Sequence, residues 1–263
     1  MNKPSFYWGI ASYQRADRQP MLKILAGMGY TRDEIILSTQ TEQDYADYLE
    51  RYQDMATVVY RPGKNVSDNK NTVLDYITEH CDGTRVVMCS DKVRGINWMD
   101  QYKKTHRIET REEMDSLVKK AFGVTRMLKG CIFGCYSVGN TFYMSRDISI
   151  NQQILGCFMG IADPTKERFD PQQPLKEDFE FSLRQIAKGR RVIRFNDIFL
   201  TATFHTKGGC HEAWNSEGDY VNEMCNLRIL ELYPQLVKPH ATRKNEVRYI
   251  GPKGKINKSI MDL

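Results

Sequence analysis

The stretch FYWGIASYQRADRQ, Phe6 to Gln19, decides the fold. From Phe6 to Ser12 its residues are apolar, aromatic or small, and the polar cluster QRADRQ follows. Such a run reads as a buried strand that ends in a loop. Working outward, Leu22, Ile24, Leu25 and Met28 supply a helical face that Gly29 closes, and Ile35 to Ser38 forms the next strand. Thr41 stands at capping distance before Asp44, and Tyr45, Tyr48, Leu49 and Tyr52 recur at helical intervals before the strand TVVY at 57–60. A third helix over about Asn69 to Glu79 delivers the chain to the apolar strand RVVMC at 85–89. Strands alternating with helices predict an α/β fold with a mostly parallel central sheet flanked by helices.

After residue 95 the alternation breaks down, and the second half reads as α+β. A helix at about 111–129 precedes the strand candidates CIFGCYS, TFYMS and QILGCFMGI. A helix over Glu177 to Ala187, strands in RVIRFN and IFLTATF, a helix near 217–232 and a strand around EVRYI complete the map. No internal repeat or long linker divides the chain, so residues 1–250 are predicted as one domain, with 1–95 and 96–250 as its halves. The stretch 251–263 carries three lysines and reads as a mobile tail or a basic arm.

The chain has 263 residues, 41% of them hydrophobic, which is enough for a core without disulfides or metals. Its net charge of +5 permits a polyanionic partner without requiring one. The seven cysteines mostly occupy apolar segments and read as reduced thiols. Cys131 and Cys135 have no second pair at zinc-finger spacing, and the adjacent Cys210 and His211 cannot build a tetrahedral site. No long apolar segment predicts a membrane span, so the expectation is cytoplasmic, in the host's cytoplasm if a phage encodes the chain.

Open parallel sheets bind ligands at the carboxyl ends of their strands, and the unusual polar residues fall at those ends. They are Ser12, Tyr13 and Arg15 after the first strand, the 61–71 loop after the third, and Ser90, Asp91 and Lys92 after the fourth. Gly63 and the short polar residues after it let the backbone turn tightly before a helix, where N–H groups attract phosphate and Lys70 adds charge. A solvated turn with Asn and Asp caps is the plainer reading of that loop. Asp91 and Lys92 read equally as a surface ion pair, and Glu177 and Asp178 as complements to a helix N-terminus. Trp98, Tyr102 and Trp214 suit either stacking on an acceptor or core packing.

In order along the chain, GIASYQRA, QTEQDYADY, the loop before NTVLDYI and RVVMCSDKV resemble the nucleotide-sugar half of GT-A-fold glycosyltransferases. GNTFYMS, LKEDFEFSLRQIAKGRRVIRFN and HTKGGCHE resemble the TET-associated and phage DNA-base glycosyltransferase group, whose members act on 5-hydroxymethylpyrimidines. The resemblance spans about residues 6–250. It implies a GT-A-like fold and a nucleotide-diphosphate sugar donor, UDP-linked in the first instance. The acceptor it implies is the hydroxymethyl group of a modified pyrimidine in DNA.

By that resemblance Ser12, Tyr13 and Arg15 contact the nucleotide, and the loop with Gly63, Asn65, Lys70 and Asn71 closes over it. Ser90, Asp91 and Lys92 occupy the acidic metal position, while His205, Lys207, Gly208 and Gly209 close over the leaving diphosphate. Glu177 and Asp178 match the acceptor-side base, Asp178 foremost. Where such enzymes carry two or three aspartates this chain keeps one, with Lys92 beside it. A lysine repels a cation, so no divalent metal is expected to be required; Asp91 and His205 are the candidate ligands if Mn2+ or Mg2+ binds. Arg190, Arg191, Arg194, Arg243, Lys244 and Arg248 are the candidate DNA contacts, or else a solvated basic surface. A glycan or small-molecule acceptor and a non-catalytic nucleic-acid-binding protein are the alternative functions.

Overall fold

A computed structural model describes residues 3–136, 139–203 and 210–263, and the side chains of all of these except 210–219. Its first part alternates strand and helix: β1 (Tyr7–Ala11), α1 (Pro20–Gly27), β2 (Ile35–Thr39), α2 (Glu42–Tyr52), β3 (Thr57–Tyr60), α3 (Val66–His80) and β4 (Val86–Ser90). β1 pairs in parallel with β2 on one side and β4 on the other, and β2 pairs in parallel with β3. Thr41 caps α2 by accepting from the Asp44 N–H at 3.1 Å, as its spacing predicts. Gly29, at φ +85°, takes the left-handed turn that closes α1.

The second part comprises β5 (Val93–Met99), β6 (Thr105–Arg107), α4 (Arg111–Met127), β7 (Gly130–Tyr136), β8 (Ile148–Ile150), β9 (Phe158–Ile161), α5 (Glu177–Ala187), β10 (Arg191–Ala202), α6 (Cys210–Leu232), β11 (Val237–Pro239), β12 (Val247–Tyr249) and β13 (Gly254–Ile256). Its strands extend the first sheet in the order β3-β2-β1-β4-β9-β7-β10-β8-β13, with β5 and β6 added along β10. β9 runs antiparallel between β4 and β7, whereas β7 and β10 pair in parallel. The result is a mixed α/β fold around one large central sheet flanked by helices, the predicted class.

Successive side chains of β1 enter opposite cores, because strand residues alternate faces. Trp8 and Ile10 pack with Leu22, Tyr48 and Phe133, whereas Tyr7 packs with Val73, Ile77 and Met88. Gly9 lets α3 lie close on this strand: a Cβ there would stand 2.6 Å from Val73 Cγ1 and 2.7 Å from Met88 Sδ. Cys131 and Cys135 fall in different cores, and none of the described cysteines forms a disulfide.

Three expectations need correction. The segment TFYMS is a turn, because Asn140 accepts from the N–H groups of Phe142, Tyr143 and Met144 and no strand partner reaches it. RVIRFN and IFLTA form one strand, since the polar Asn196 and Asp197 between them are buried and bonded by distant residues, Asp147 and Ser149 for one and Ser259 for the other. Residues 251–263 are tied down rather than mobile: β13 pairs with β8, Ile260 is fully buried, and Lys255 and Asp262 pair with Asp147 and Arg146. None of the described helices is long and apolar enough to cross a membrane.

Candidate functional site

Strand order reverses between β1 and β4: the chain first builds outward through β2 and β3, then crosses to the other side of β1. A crevice opens at the carboxyl ends of strands at such a point. Here it is a cleft of about 510 Å3 whose walls come from six segments that are separate in sequence. Ser12, Tyr13 and Arg15 follow β1; Asn65 and Lys70 stand at the start of α3; Ser90, Asp91 and Lys92 follow β4; Glu177 and Asp178 open α5. Ten of the residues singled out from sequence therefore share one cavity.

One wall is a closed polar network. Asp91 is 2% exposed, and its carboxylate accepts from Ser12 Oγ at 2.6 Å and from Arg15 Nη1 at 2.9 Å. Ser12 Oγ also receives Gln19 Nε2 at 2.7 Å and lies 2.8 Å from Tyr48 Oη, which accepts from the Arg15 N–H at 2.9 Å. Burial holds the Tyr48 phenol protonated by raising its pKa. Arg15, 4% exposed, gives its charge to Asp91 inside the protein. The arginine expected on the nucleotide thus lines the cleft while its guanidinium pairs with the strand-end carboxylate.

That network bears on a metal. Both Asp91 oxygens already accept hydrogen bonds, one of them from a guanidinium whose charge opposes a bound cation. Among the described residues, no three His, Cys, Asp or Glu side chains are grouped to hold an ion. His205, Lys207, Gly208 and Gly209 lie outside the described residues. The described donor set does not fit a divalent cation.

The opposite wall is charged differently. Lys70 Nζ donates to Glu177 Oε1 at 2.6 Å, and both side chains are about nine-tenths buried. The ammonium also lies 4.9 Å from the Phe169 ring centre. Asp178 Oδ2 accepts from the Gly156 N–H at 2.7 Å, and burial together with the neighbouring Glu177 charge raises its pKa above the usual carboxylate value. Gly156 is required for this approach, because a Cβ would fall 2.5 Å from Lys70 Nζ and 3.1 Å from Asp178 Cβ. One ammonium thus faces two carboxylates, and Asp178 holds its proton more tightly than an ordinary aspartate.

Helix α5 starts from Lys176, whose left-handed backbone (φ 58°) is anchored by Nζ contacts to Glu246 Oε2 at 2.9 Å and Asn226 Oδ1 at 2.8 Å. The same contacts bring the β11–β12 connection, with exposed Arg243 and Lys244, towards the helix start; Arg248 is exposed on β12. The other basic candidates separate. Arg190 is paired with Glu167 at 2.7 Å, and Arg191 begins β10 at the sheet end opposite the cleft. Arg194 is half-buried over the Tyr136 ring and bonded to Asn196.

In the loop before α3 the plainer reading holds for several residues. Asn65 caps the helix, accepting from the N–H groups of Ser67 at 2.9 Å and Asp68 at 3.3 Å. Asn71 clamps the Phe169 backbone through two hydrogen bonds of 2.9 and 2.7 Å and does not line the cleft. Gly63 lies beneath it, where a Cβ would meet Asp68 Cβ at 2.8 Å.

Other cleft residues were not singled out individually from sequence. Gln40, directly after β2, could have been found by the strand-end rule. Asn69 sits in a helix interior, an unfavourable place that signals another use of its amide. Its Nδ2 donates to Ser12 O at 2.8 Å, while Asn69 Oδ1 and Gln40 Oε1 are buried acceptors without a hydrogen-bond partner among the described residues. Gly156 and Cys157 come from a loop that carried no signal; burial pushes the Cys157 thiol up to about 12, so it is neutral.

No protein-family model matches the chain, and no curated protein does. One similar solved structure is described as the crystal structure of mannose-1-phosphate geranyltransferase from Thermus thermophilus. The match covers 97% of this chain and 76% of that one, at 14% identity and a TM-score of 0.34. At those values the likeness decides nothing about function, which has to be argued from the cleft.

Proposed function

We propose that the protein is a transferase that moves a sugar from a nucleotide-diphosphate donor to a hydroxyl acceptor, with the hydroxymethyl group of a modified pyrimidine in DNA as that acceptor. The observation that carries this reading is the placement of Asp178, a carboxylate with a raised pKa, in a strand-end cleft at the point where strand order reverses. In the proposed reaction the acceptor oxygen bonds to the anomeric carbon as the bond from that carbon to phosphate breaks. The diphosphate departs with the electron pair, and the acceptor's proton passes to Asp178.

Gln40 and Asn69, on the cleft wall, are assigned to the donor's base. Lys64 and Lys92, both on the cleft wall, are assigned to the diphosphate, where a fixed cation does the work of a bound ion. The cap by Asn65 leaves α3 contributing mainly its dipole. The exposed Arg243 and Lys244, brought towards α5, support a polyanionic acceptor.

The test is mass spectrometry of hydroxymethylated DNA and of free sugars after incubation with a panel of nucleotide sugars, with EDTA or with Mn2+. The expected result is a single sugar added to the modified pyrimidine, with activity in EDTA within about twofold of that without it. Transfer only to free sugars would replace the DNA acceptor with a small one. Failure to consume any donor would overturn the enzyme reading and favour a binding protein. Complete, reversible loss in EDTA would overturn the role given to Lys92.

A further inference from the structure

Two neighbouring loops outside the cleft carry the most exposed aromatic side chains described in the protein. Tyr102, at the tip of the β5–β6 hairpin, is 81% exposed; Phe142 and Tyr143, on the turn at 139–145, are 77% and 70% exposed. Lys103 joins the loops, donating from Nζ to Thr141 O at 2.9 Å and Met144 O at 3.1 Å. Phe142 and Tyr143 meet edge to face with ring centres 4.9 Å apart. Beneath them Met99, Met144 and Phe199 form a small buried cluster.

Both loops are braced from within. Asp100 Oδ1 accepts from the Tyr102 and Lys104 N–H groups at 2.9 Å each, and Asn140 Oδ1 accepts from the Phe142 N–H at 3.0 Å. The rings are therefore held out on stiff turns, and their exposed apolar area calls for a partner.

Charge identifies that partner. Arg94, Lys103, Lys104 and Arg107 lie on the same hairpin, and none forms an ion pair with a carboxylate among the described residues. Lys103 and the Arg107 guanidinium donate to backbone carbonyls, which leaves their charge uncompensated. The acid of the hairpin turn, Asp100, is bonded to His106 at 2.9 Å. Exposed rings interleaved with uncompensated cations match a polyanion whose units have open π-faces, which is a single-stranded nucleic acid; a duplex hides those faces and a glycan lacks the charge.

We propose that the β5–β6 hairpin tip and the 139–145 turn form a stacking platform for single-stranded DNA. This rests on the reading that DNA is the acceptor. β5 begins directly after Asp91 and Lys92, so a strand stacked on its hairpin is held by an element that continues from the cleft wall.

The test is fluorescence anisotropy of a labelled, unmodified single-stranded oligodeoxynucleotide and its duplex, without nucleotide sugar. The variant Tyr102→Ala/Phe142→Ala/Tyr143→Ala removes only exposed rings and should weaken single-strand binding by about tenfold or more, with a much smaller effect on the duplex. The variant Lys104→Gln/Arg107→Gln should instead flatten the dependence of log affinity on log salt by about one unit. Single-strand binding by the aromatic variant within about twofold of wild type would overturn the proposal, as would dimerisation that the same variant abolishes while its DNA affinity stays unchanged. Because no transfer is measured, failure of the transferase reading leaves this result separately legible.

Discussion

The two walls of the cleft each bury a cation against a carboxylate, and among the described residues the number of acids beside that cation differs. Arg15 pairs with Asp91, and Ser12 donates to the same carboxylate. Lys70 faces two acids, Glu177 and Asp178, and donates to the first. A balanced buried pair is scaffold, because neither partner gains by changing its protonation. An unbalanced set stores the tendency to take up a proton, which a base for an acceptor hydroxyl requires. The proposed function accordingly takes its base from the α5 wall.

Breaking the balanced pair should have the largest effect. Arg15→Met strands Asp91 as a buried, unpaired charge and should cost about 3–5 kcal/mol in urea unfolding, whereas the paired change Arg15→Met/Asp91→Leu should restore much of that loss. A single variant of wild-type stability that binds donor poorly would instead make Arg15 a ligand contact.

On the unbalanced side, Asp178→Asn keeps the size of the group and removes the proton acceptor. Turnover should fall about 10²-fold or more with the thermal melt unchanged. Turnover within about threefold of wild type would pass the role to Glu177.

The imbalance itself can be sharpened through Lys70→Met, which leaves two carboxylates without their ammonium. Asp178 must be ionised to accept a proton, so activity is lost as pH falls through its raised pKa. Removing the cation should move that acidic limb upward by about one pH unit, a shift readable from the pH dependence of kcat/KM. An unmoved limb would mean that the titrating group is not beside Lys70.

A further buried carboxylate, Asp197, forms no ion pair among the described residues and gives the smallest expected change. Asp197 is fully buried, accepts from Ser259 Oγ through Oδ2, and has its pKa pushed up to about 6 by burial. Since the folded value lies above the unfolded one, the folded state binds more protons between about pH 4 and 6. Stability should decline as pH rises across that window and stay level above it. Asp197→Asn should abolish the decline and add on the order of 1–3 kcal/mol at neutral pH; a stability profile identical to wild type would place the titration elsewhere.

Neighbouring residues alone specify the first three βα steps, the fourth strand and the strand ends where the cleft lies, since burial on two faces, helical period and capping are written locally. Gln40 was within reach of the same rule. Roles within the cleft were not, because side-chain type does not reveal the partner. Arg15 meets Asp91 across 76 residues of chain, and Lys70 meets Glu177 across 107. Likewise the alternation of RVIRFNDIFLTA was broken by Asn196 and Asp197, whose partners Asp147, Ser149 and Ser259 are remote in sequence. The anchoring of 251–263 was hidden too, because a few residues such as Ile260 and Ser259 do that work among many charged ones. Local order follows from local chemistry. Which charges cancel and which remain available is settled only when the sheet brings distant residues within about 3 Å of one another, where a hydrogen bond or ion pair forms.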